Sequence, residues 1–177
     1  GGGSADGAFA LKAMNDLFQL NASEEELEKI AGELGSDDPF FVRNKPALCT
    51  GRGEVMEPIP SLNQRFWCLL LNPGIHVNTA LAYQGIQPKE KMKDDFLQVY
   101  LAGPQHWQDR LTNDFEEGVF EKFPAIKELK SKCYEAGAIY AAMSGSGSTV
   151  FALFPENNKP KAATFNAEWS HCSMLTL

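Results

Sequence analysis

The stretch AIYAAMSGSGSTVFALF, residues 138–154, joins two apolar runs through a loop of glycine and serine alone. The runs 138–143 and 149–154 have the length and the β-branched and aromatic content of strands, so the short connection predicts an antiparallel hairpin. The loop at 144–148 has two interpretations. It is a flexible turn, or it is a small-residue loop that lets backbone and hydroxyl groups approach a ligand closely.

The elements around this hairpin alternate without a regular βαβ order, which predicts an α+β fold. Residues 66–71 predict a buried strand, and Asn78 and Thr79 are placed to cap a short helix after it. We expect further helices at 80–83, 96–101 and 161–168. Another helix should begin at Thr112 or Asn113, and one more should run from Pro124 to a stop at Gly137. Residues 84–95 predict a polar loop, and residues 172–177 predict a short strand.

The start of the chain predicts two helices that form an αα-hairpin over residues 4–34. The first has Ser4 or Asp6 as its N-cap, and Ser23 to Glu26 form a capping box that opens the second, which Gly35 ends. The apolar stripe of the first helix consists of Phe9, Ala13, Met14, Leu17 and Phe18.

Two short strands flank Gly51-Arg52-Gly53 and predict a β-hairpin. The proline-broken polar stretch at 58–64 follows them. It predicts a boundary between an N-terminal domain, residues 1–62, and a C-terminal domain, residues 63–177.

The glycines that open the sequence also have two interpretations. Gly1, Gly2, Gly3 and Ser4 are an artificial linker, or they are the second half of a glycine-rich loop. We favour the second, because an amphipathic helix follows at once. Bare backbone N–H groups at the positive end of a helix bind anions such as phosphate.

Two acids precede a proline at Asp37, Asp38 and Pro39. Pro39 pushes Asp38 toward extended backbone, so a helix cap or a turn is one interpretation and a proton acceptor is the other. Two small-residue loops and an acidic pair are the minimal inventory for phosphoryl transfer, with phosphate on one side and the proton acceptor on the other.

Charge and composition argue against several classes of function. The 177 residues include 16 basic and 23 acidic side chains, and this net charge of −7 disfavours nucleic acid or an anionic membrane surface as a partner. We expect no membrane-spanning helix, because no apolar run reaches roughly 20 residues. We expect no signal peptide, because the sequence opens with Gly1-Gly2-Gly3-Ser4 and has neither a basic segment nor an apolar core there. The four cysteines form no CxxC pair and the histidines show no ligand spacing, so we expect no metal site, no disulfide framework and a cytoplasmic location.

Three segments together resemble the motifs of the GHMP kinases, which phosphorylate small molecules with ATP. Residues 1–8 are similar to the end of the ATP-loop motif, residues 34–41 to the segment of the catalytic aspartate, and residues 143–151 to the third motif. Finer similarities point to members whose substrate is a cytidyl diphospho-methylerythritol, and they lie at residues 50–54, 72–83 and 113–116. The resemblance extends over essentially the whole chain.

The resemblance implies the end of the ATP-binding domain, residues 1–62, followed by a ferredoxin-like C-terminal domain. Family members begin with a β-rich segment that supplies a lysine near the catalytic aspartate. We therefore expect the chain alone to be inactive, and either to self-associate, for example as a homodimer, or to have reduced stability. The sequence departs from the family pattern at Ala5, Gly7 and Asp38, where a serine, an alanine and an apolar residue are usual.

The resemblance also implies a role for each residue near the phosphates. ATP would lie against Gly1, Gly2, Gly3 and Ser4, with Mg²⁺ bridging its phosphates. Asp37 would orient or deprotonate the 2-hydroxyl of the methylerythritol, and Asp38 is the alternative carboxylate.

At the substrate end of the cleft, the resemblance places Ser144, Gly145 and Ser146, with Thr79 nearby. Tyr83 would stack on the cytosine ring, or it is a half-buried helix tyrosine. The implied reaction is phosphorylation of the cytidyl ester in isoprenoid precursor synthesis. Two other functions remain open: another GHMP small-molecule kinase, and a non-catalytic binding module on the same fold.

Overall fold

The computed structural model describes residues 2–51, 53, 55–84, 86 and 93–177. The predicted phosphate-site residue Gly1, the hairpin residues Arg52 and Glu54, and most of the predicted loop at 84–95 lie outside the described residues. The chain divides into two compact units, Gly1–Ser61 and Leu62–Leu177.

The first unit contains three helices and a two-stranded sheet. They are α1 (Gly2–Leu17), α2 (Glu24–Leu34), α3 (Asp38–Arg43), β1 (Ala47–Thr50) and β2 (Val55–Pro58), with β1 and β2 antiparallel. The predicted capping box at α2 is confirmed, since the Glu26 N–H donates to Ser23 Oγ over 3.2 Å and the Ser23 N–H donates to Glu26 Oε2 over 2.8 Å. The core of this unit is small and consists of Ala8, Leu27, Ala31 and Val42.

The second unit contains a four-stranded antiparallel sheet. Its elements are β3 (Arg65–Asn72), α4 (Thr79–Gln84), α5 (Lys93–Leu101), a 3-10 turn (Pro104–His106), α6 (Glu116–Lys122), α7 (Pro124–Glu135), β4 (Tyr140–Met143), β5 (Val150–Pro155), a 3-10 turn (Ala162–Thr164) and β6 (Trp169–Thr176).

The strand order β4-β5-β3-β6 is that of a ferredoxin-like sheet, so the α+β prediction is confirmed. The predicted hairpin at 138–154 is also confirmed, with Tyr140 opposite Leu153 and Met143 opposite Val150. A core of Leu69, Leu71, Ile126 and other apolar side chains includes the fully buried Phe154.

One expectation about α1, its N-cap, is wrong, and the position of its apolar stripe is a further finding. The helix begins at Gly2, so Ser4 and Asp6 lie inside it and neither is the N-cap. Its predicted apolar stripe lies on the exposed face, where Leu17 is 76% exposed, because α2 and α3 pack against the face that contains Ala8. Glycine at the first turn costs little, since the N–H groups there have no intrahelical acceptor to lose.

Near the C-terminus one expectation is also wrong, and the other is confirmed with an earlier start. The helix predicted at 161–168 is a 3-10 turn at Ala162–Thr164, and the strand predicted at 172–177 begins earlier, at Trp169. Long-range pairing with β3 is the reason, because the Glu168 N–H already donates to the Asn72 carbonyl over 2.9 Å. Sheet pairing overrides the local helical pattern here.

Candidate functional site

The N-terminus of α1 has the chemistry of an anion site. An added Cβ at Gly2 or Gly3 would meet no described atom within 4 Å, and the described first turn contains no acidic side chain. The first N–H groups of a helix have no intrahelical acceptor, and they lie at the positive end of the helix dipole. This open, donor-rich end fits a phosphate group in space and in charge, and Ser4 lies half-buried in the same turn.

Asp37 occupies the N-cap position of α3 but makes no capping hydrogen bond to a described residue. Its side chain is exposed. A Cβ at Gly53, in the turn between β1 and β2, would lie 3.2 Å from Asp37 Oδ1. The carboxylate therefore sits beside the glycine turn and remains accessible to a dissolved ligand.

Asp38 is buried, with 5% of its surface exposed. A Cβ at Gly7 would lie 3.1 Å from its Oδ2, and a Cβ at Gly35 would lie 2.8 Å from its Oδ1. Two of the departures from the usual family pattern, Gly7 and Asp38, are therefore in contact. The buried carboxylate fills space beside the backbone of α1 and is far less accessible than Asp37.

We predict that Gly7 and Asp38 are energetically coupled. Gly7→Ala should gain helix propensity of about 1 kcal/mol, but the close approach to the Asp38 carboxylate should cancel that gain. In an Asp38→Ala background the same substitution should raise the free energy of unfolding by about 0.5–1 kcal/mol. Urea unfolding of the four variants measures this difference. Equal effects of Gly7→Ala in both backgrounds would contradict the coupling.

Cys49 on β1 reports on Asp37. Partial desolvation raises the pKa of the Cys49 thiol, and the Asp37 carboxylate raises it further. A raised pKa lowers the thiolate fraction at pH 8, and the thiolate is the reactive form. We therefore expect Asp37→Asn to accelerate alkylation of this exposed thiol at pH 8, measured by mass spectrometry. The buried Cys133, whose pKa burial raises to about 12, is the internal control. An unchanged Cys49 rate would argue that Asp37 is not beside it.

The glycine-serine loop of the second unit is held by its own backbone. The Ser144 N–H donates to the Thr149 carbonyl over 2.8 Å, and the Gly147 N–H donates to the Ser144 carbonyl over 3.1 Å. Gly147 has a φ of 94°, and a Cβ there would lie 2.7 Å from Met143 Sδ, so the turn needs glycine at this position. The loop is therefore a hairpin turn with a defined backbone, as either interpretation allows.

Two residues predicted for substrate binding lie against this loop. Thr79 is the first residue of α4, and its Oγ1 lies 3.2 Å from Ser146 Oγ. Tyr83, on the same helix, is 63% exposed, so the alternative of a half-buried tyrosine is wrong. Its ring meets Phe115 edge-on with centroids 4.9 Å apart, which leaves ring surface open for stacking.

Asn113 and Glu116 were not singled out as site residues by the sequence, although Asn113 contacts this loop and both contact Met143, which precedes it. Asn113 Nδ2 donates to the carbonyls of Met143 and Gly145, each over 2.7 Å. The Phe115 N–H donates to Asn113 Oδ1 over 2.9 Å, and this turn displaces the helix expected from 112 or 113 to a start at Glu116. An asparagine a few residues before a helix start is a local indication of such a turn, but the long-range partners of Asn113 have no local signature.

Glu116 is buried beneath the loop. Its Oε1 accepts from the Met143 N–H over 2.8 Å, and its Oε2 accepts from Lys130 Nζ over 2.6 Å.

Among the described residues, no group of three metal-ligating side chains could hold an ion. No described helix is long and apolar enough to cross a membrane.

Comparison with known proteins identifies the family. A model described as GHMP kinases N terminal domain matches residues 1–45, and one described as GHMP kinases C terminal matches residues 100–170. The chain belongs to the GHMP kinases, as the α+β fold and the three motifs led us to expect.

Within that family, the chain is similar to curated proteins named 4-diphosphocytidyl-2-C-methyl-D-erythritol kinase. It is 46% identical to the protein of Cytophaga hutchinsonii over 175 residues, which is 97% of this chain and 62% of that protein. It is 42% identical to the protein of Azobacteroides pseudotrichonymphae over 94% of this chain and 62% of that protein. The chain thus spans about three fifths of the length of these curated relatives.

Two solved structures have a similar fold. A crystal structure of 4-(cytidine 5'-diphospho)-2C-methyl-D-erythritol kinase superposes with a TM-score of 0.79 at 27% identity, over 99% of this chain and 65% of that one. The mevalonate kinase of L. major superposes with a TM-score of 0.72 at 19% identity, over 98% of this chain and 65% of that one, and shows the shared fold.

Proposed function

We propose that the protein carrying this chain transfers the γ-phosphoryl group of ATP to the 2-hydroxyl of 4-diphosphocytidyl-2-C-methyl-D-erythritol. The observation that carries the proposal is the 46% identity over 97% of the chain to a relative of that name. In this proposal, residues 1–62 are the end of the ATP-binding domain, and residues 63–177 are the C-terminal domain. The free thiols of all four cysteines suit a reducing compartment such as the cytoplasm.

The chemistry assigned to the first unit follows from its charges. Gly1, Gly2, Gly3 and Ser4 would hold the phosphates of ATP through backbone N–H groups, and Mg²⁺ would supply charge neutralisation at those phosphates. Asp37 would orient the acceptor hydroxyl and accept its proton. Its exposure supports this role, and the burial of Asp38 argues against that residue as the acceptor. Positioning and charge dominate phosphoryl transfer.

The chemistry assigned to the second unit is recognition of the acceptor. Tyr83 would stack on the cytosine through its exposed ring. Ser144, Gly145 and Ser146 would contact the polar end of the substrate, and Thr79 would support Ser146 through the contact between their hydroxyls.

The test uses the polypeptide that carries this sequence at its full encoded length. ATP, Mg²⁺ and the cytidyl ester are supplied, mevalonate and homoserine serve as comparison alcohols, and ³¹P NMR follows the product. We expect kcat/KM for the cytidyl ester to exceed that for either alcohol by at least about 10⁴-fold. A preference for mevalonate or homoserine would instead indicate another GHMP kinase. Saturable ATP binding without transfer to any of the three would indicate a binding module.

We also propose that the chain of 177 residues self-associates through the exposed apolar face of α1 and α2. The exposed large apolar side chains of these two helices and of the connection between them are Phe9, Met14, Leu17, Phe18, Leu20, Ile30 and Leu34. Exposed apolar surface of this extent favours association. Leu17→Glu should weaken association by about tenfold or more in sedimentation equilibrium. Leu101→Glu, at an exposed position on α5, is the control. A strictly monomeric wild-type chain would contradict the proposal.

A further inference from the structure

The side-chain amide of Asn113 hydrogen-bonds to two backbone carbonyls where the glycine-serine loop begins. Asn113 Nδ2 donates to the carbonyls of Met143 and Gly145, each over 2.7 Å. Its Oδ1 accepts the Phe115 N–H over 2.9 Å. These three bonds fix the orientation of the amide, because the reverse orientation would set Oδ1 against two carbonyl oxygens.

Glu116 also hydrogen-bonds to the backbone of Met143. Its Oε1 accepts the Met143 N–H over 2.8 Å, so both the N–H and the carbonyl of Met143 are bound by side chains of one short segment. Lys130 fixes the second carboxylate oxygen of Glu116 over 2.6 Å. The last residue of β4 is therefore clamped where the loop begins.

We propose that Asn113 is a positioning residue for the substrate loop, with Glu116 as its support. This inference rests on the proposed function of Ser144, Gly145 and Ser146. Asn113 occupies the carbonyls of Met143 and Gly145, so these two acceptors are withdrawn from any ligand at the start of the loop. The N–H groups of Gly145 and Ser146 bond to no described residue, so a phosphorylated ligand would find two backbone donors here, beside the Ser144 hydroxyl and the Ser146 hydroxyl that contacts Thr79.

The variant Asn113→Asp isolates this role. An aspartate keeps Oδ1 for the Phe115 N–H, but it has no donor and sets a charged oxygen against two carbonyls. The binding-competent loop conformation then becomes a minor population, and the apparent affinity falls in proportion. Asn113→Ala loses the two donors without adding repulsion, so its effect should be smaller. Glu116→Gln keeps an acceptor for the Met143 N–H and should be milder than Glu116→Ala.

The first readout is steady-state kinetics of the full-length protein. Asn113→Asp should raise KM for the cytidyl ester about tenfold or more and change KM for ATP less than about twofold. Asn157→Asp, in an exposed turn, is the matched control and should change neither. A merely structural role would lower the melting temperature without this split between the two KM values. An unchanged KM for the cytidyl ester in a folded Asn113→Asp protein would overturn the proposal.

The second readout needs no activity. Hydrogen exchange in the 177-residue chain should accelerate at the amides of Met143, Ser144 and Gly147 in Asn113→Asp, because all three depend on the clamped loop. Unchanged exchange would overturn the positioning role whatever the substrate is. If the wild-type protein fails to phosphorylate the cytidyl ester while exchange accelerates in the variant, the proposed function falls and the role of Asn113 in holding the loop stands.

Discussion

Asp37→Asn in the full-length protein is expected to lower kcat by about 10²- to 10⁴-fold, with both KM values within about threefold of the wild type. Asparagine keeps the size of the side chain and removes its proton acceptor. Because Asp37 is exposed and makes no capping bond to a described residue, the substitution should not change the free energy of unfolding appreciably. Single-turnover phosphorylation with ATP in excess measures the chemical step.

Asp38→Asn is the matched control for this prediction. It changes the adjacent carboxylate, which is 5% exposed and lies against Gly7 and Gly35. Its effect should therefore be on stability, with kcat within about tenfold of the wild type. The opposite ranking, a severe loss in Asp38→Asn and a mild one in Asp37→Asn, would move the proton acceptor to Asp38.

The sequence predicted those elements whose causes are local. The capping box at Ser23 and Glu26, the stop at Gly137 and the hairpin at 138–154 each depend on residues a few positions apart, and all are present. The turn at Gly51 and Gly53 is of the same kind. In these cases the local preference and the tertiary structure agree, so the sequence pattern alone was sufficient to predict the element.

Features whose causes are distant in sequence could not be predicted from the local pattern. The Lys161 to Glu168 segment has helical spacing, but β3 pairs with the residues from 169 onward and only one 3-10 turn remains. The stripe of Phe9 and Met14 is periodic, yet α2 and α3 pack on the opposite face of α1. Periodicity identifies a helix and an apolar face but does not say which face has a partner within the unit.

The same distinction applies to the candidate site. Asp37 and the loop at 144–148 were predicted because acids, glycines and serines are informative residue types wherever they occur. Asn113 and Glu116 were not, since their partners Met143 and Gly145 lie 27 to 32 residues away. A side chain that holds a loop is recognised by its hydrogen bonds, and these exist only in the folded chain.

Lys130→Met is expected to lower the free energy of unfolding by about 2–4 kcal/mol. The Glu116 side chain is 11% exposed, and its Oε2 lies 2.6 Å from Lys130 Nζ. The variant removes this ammonium group and therefore leaves a nearly buried charge uncompensated. Methionine keeps an unbranched apolar side chain of similar length but removes the ammonium group, which also lies 5.9 Å from the centroid of the Phe120 ring. Urea unfolding with a fixed m-value measures the difference.

Lys132→Met, two residues along the same helix, distinguishes this effect from a general preference for lysine on α7. Lys132 pairs with Glu128, but the two side chains are 42% and 66% exposed, so the expected loss is below about 0.5 kcal/mol. Adding Glu116→Gln to Lys130→Met should recover at least half of the lost stability, because a neutral amide beneath the loop needs no cation and can still accept the Met143 N–H. Equal losses in the two lysine variants, or no recovery in the double variant, would mean that Glu116 does not depend on Lys130 for its charge.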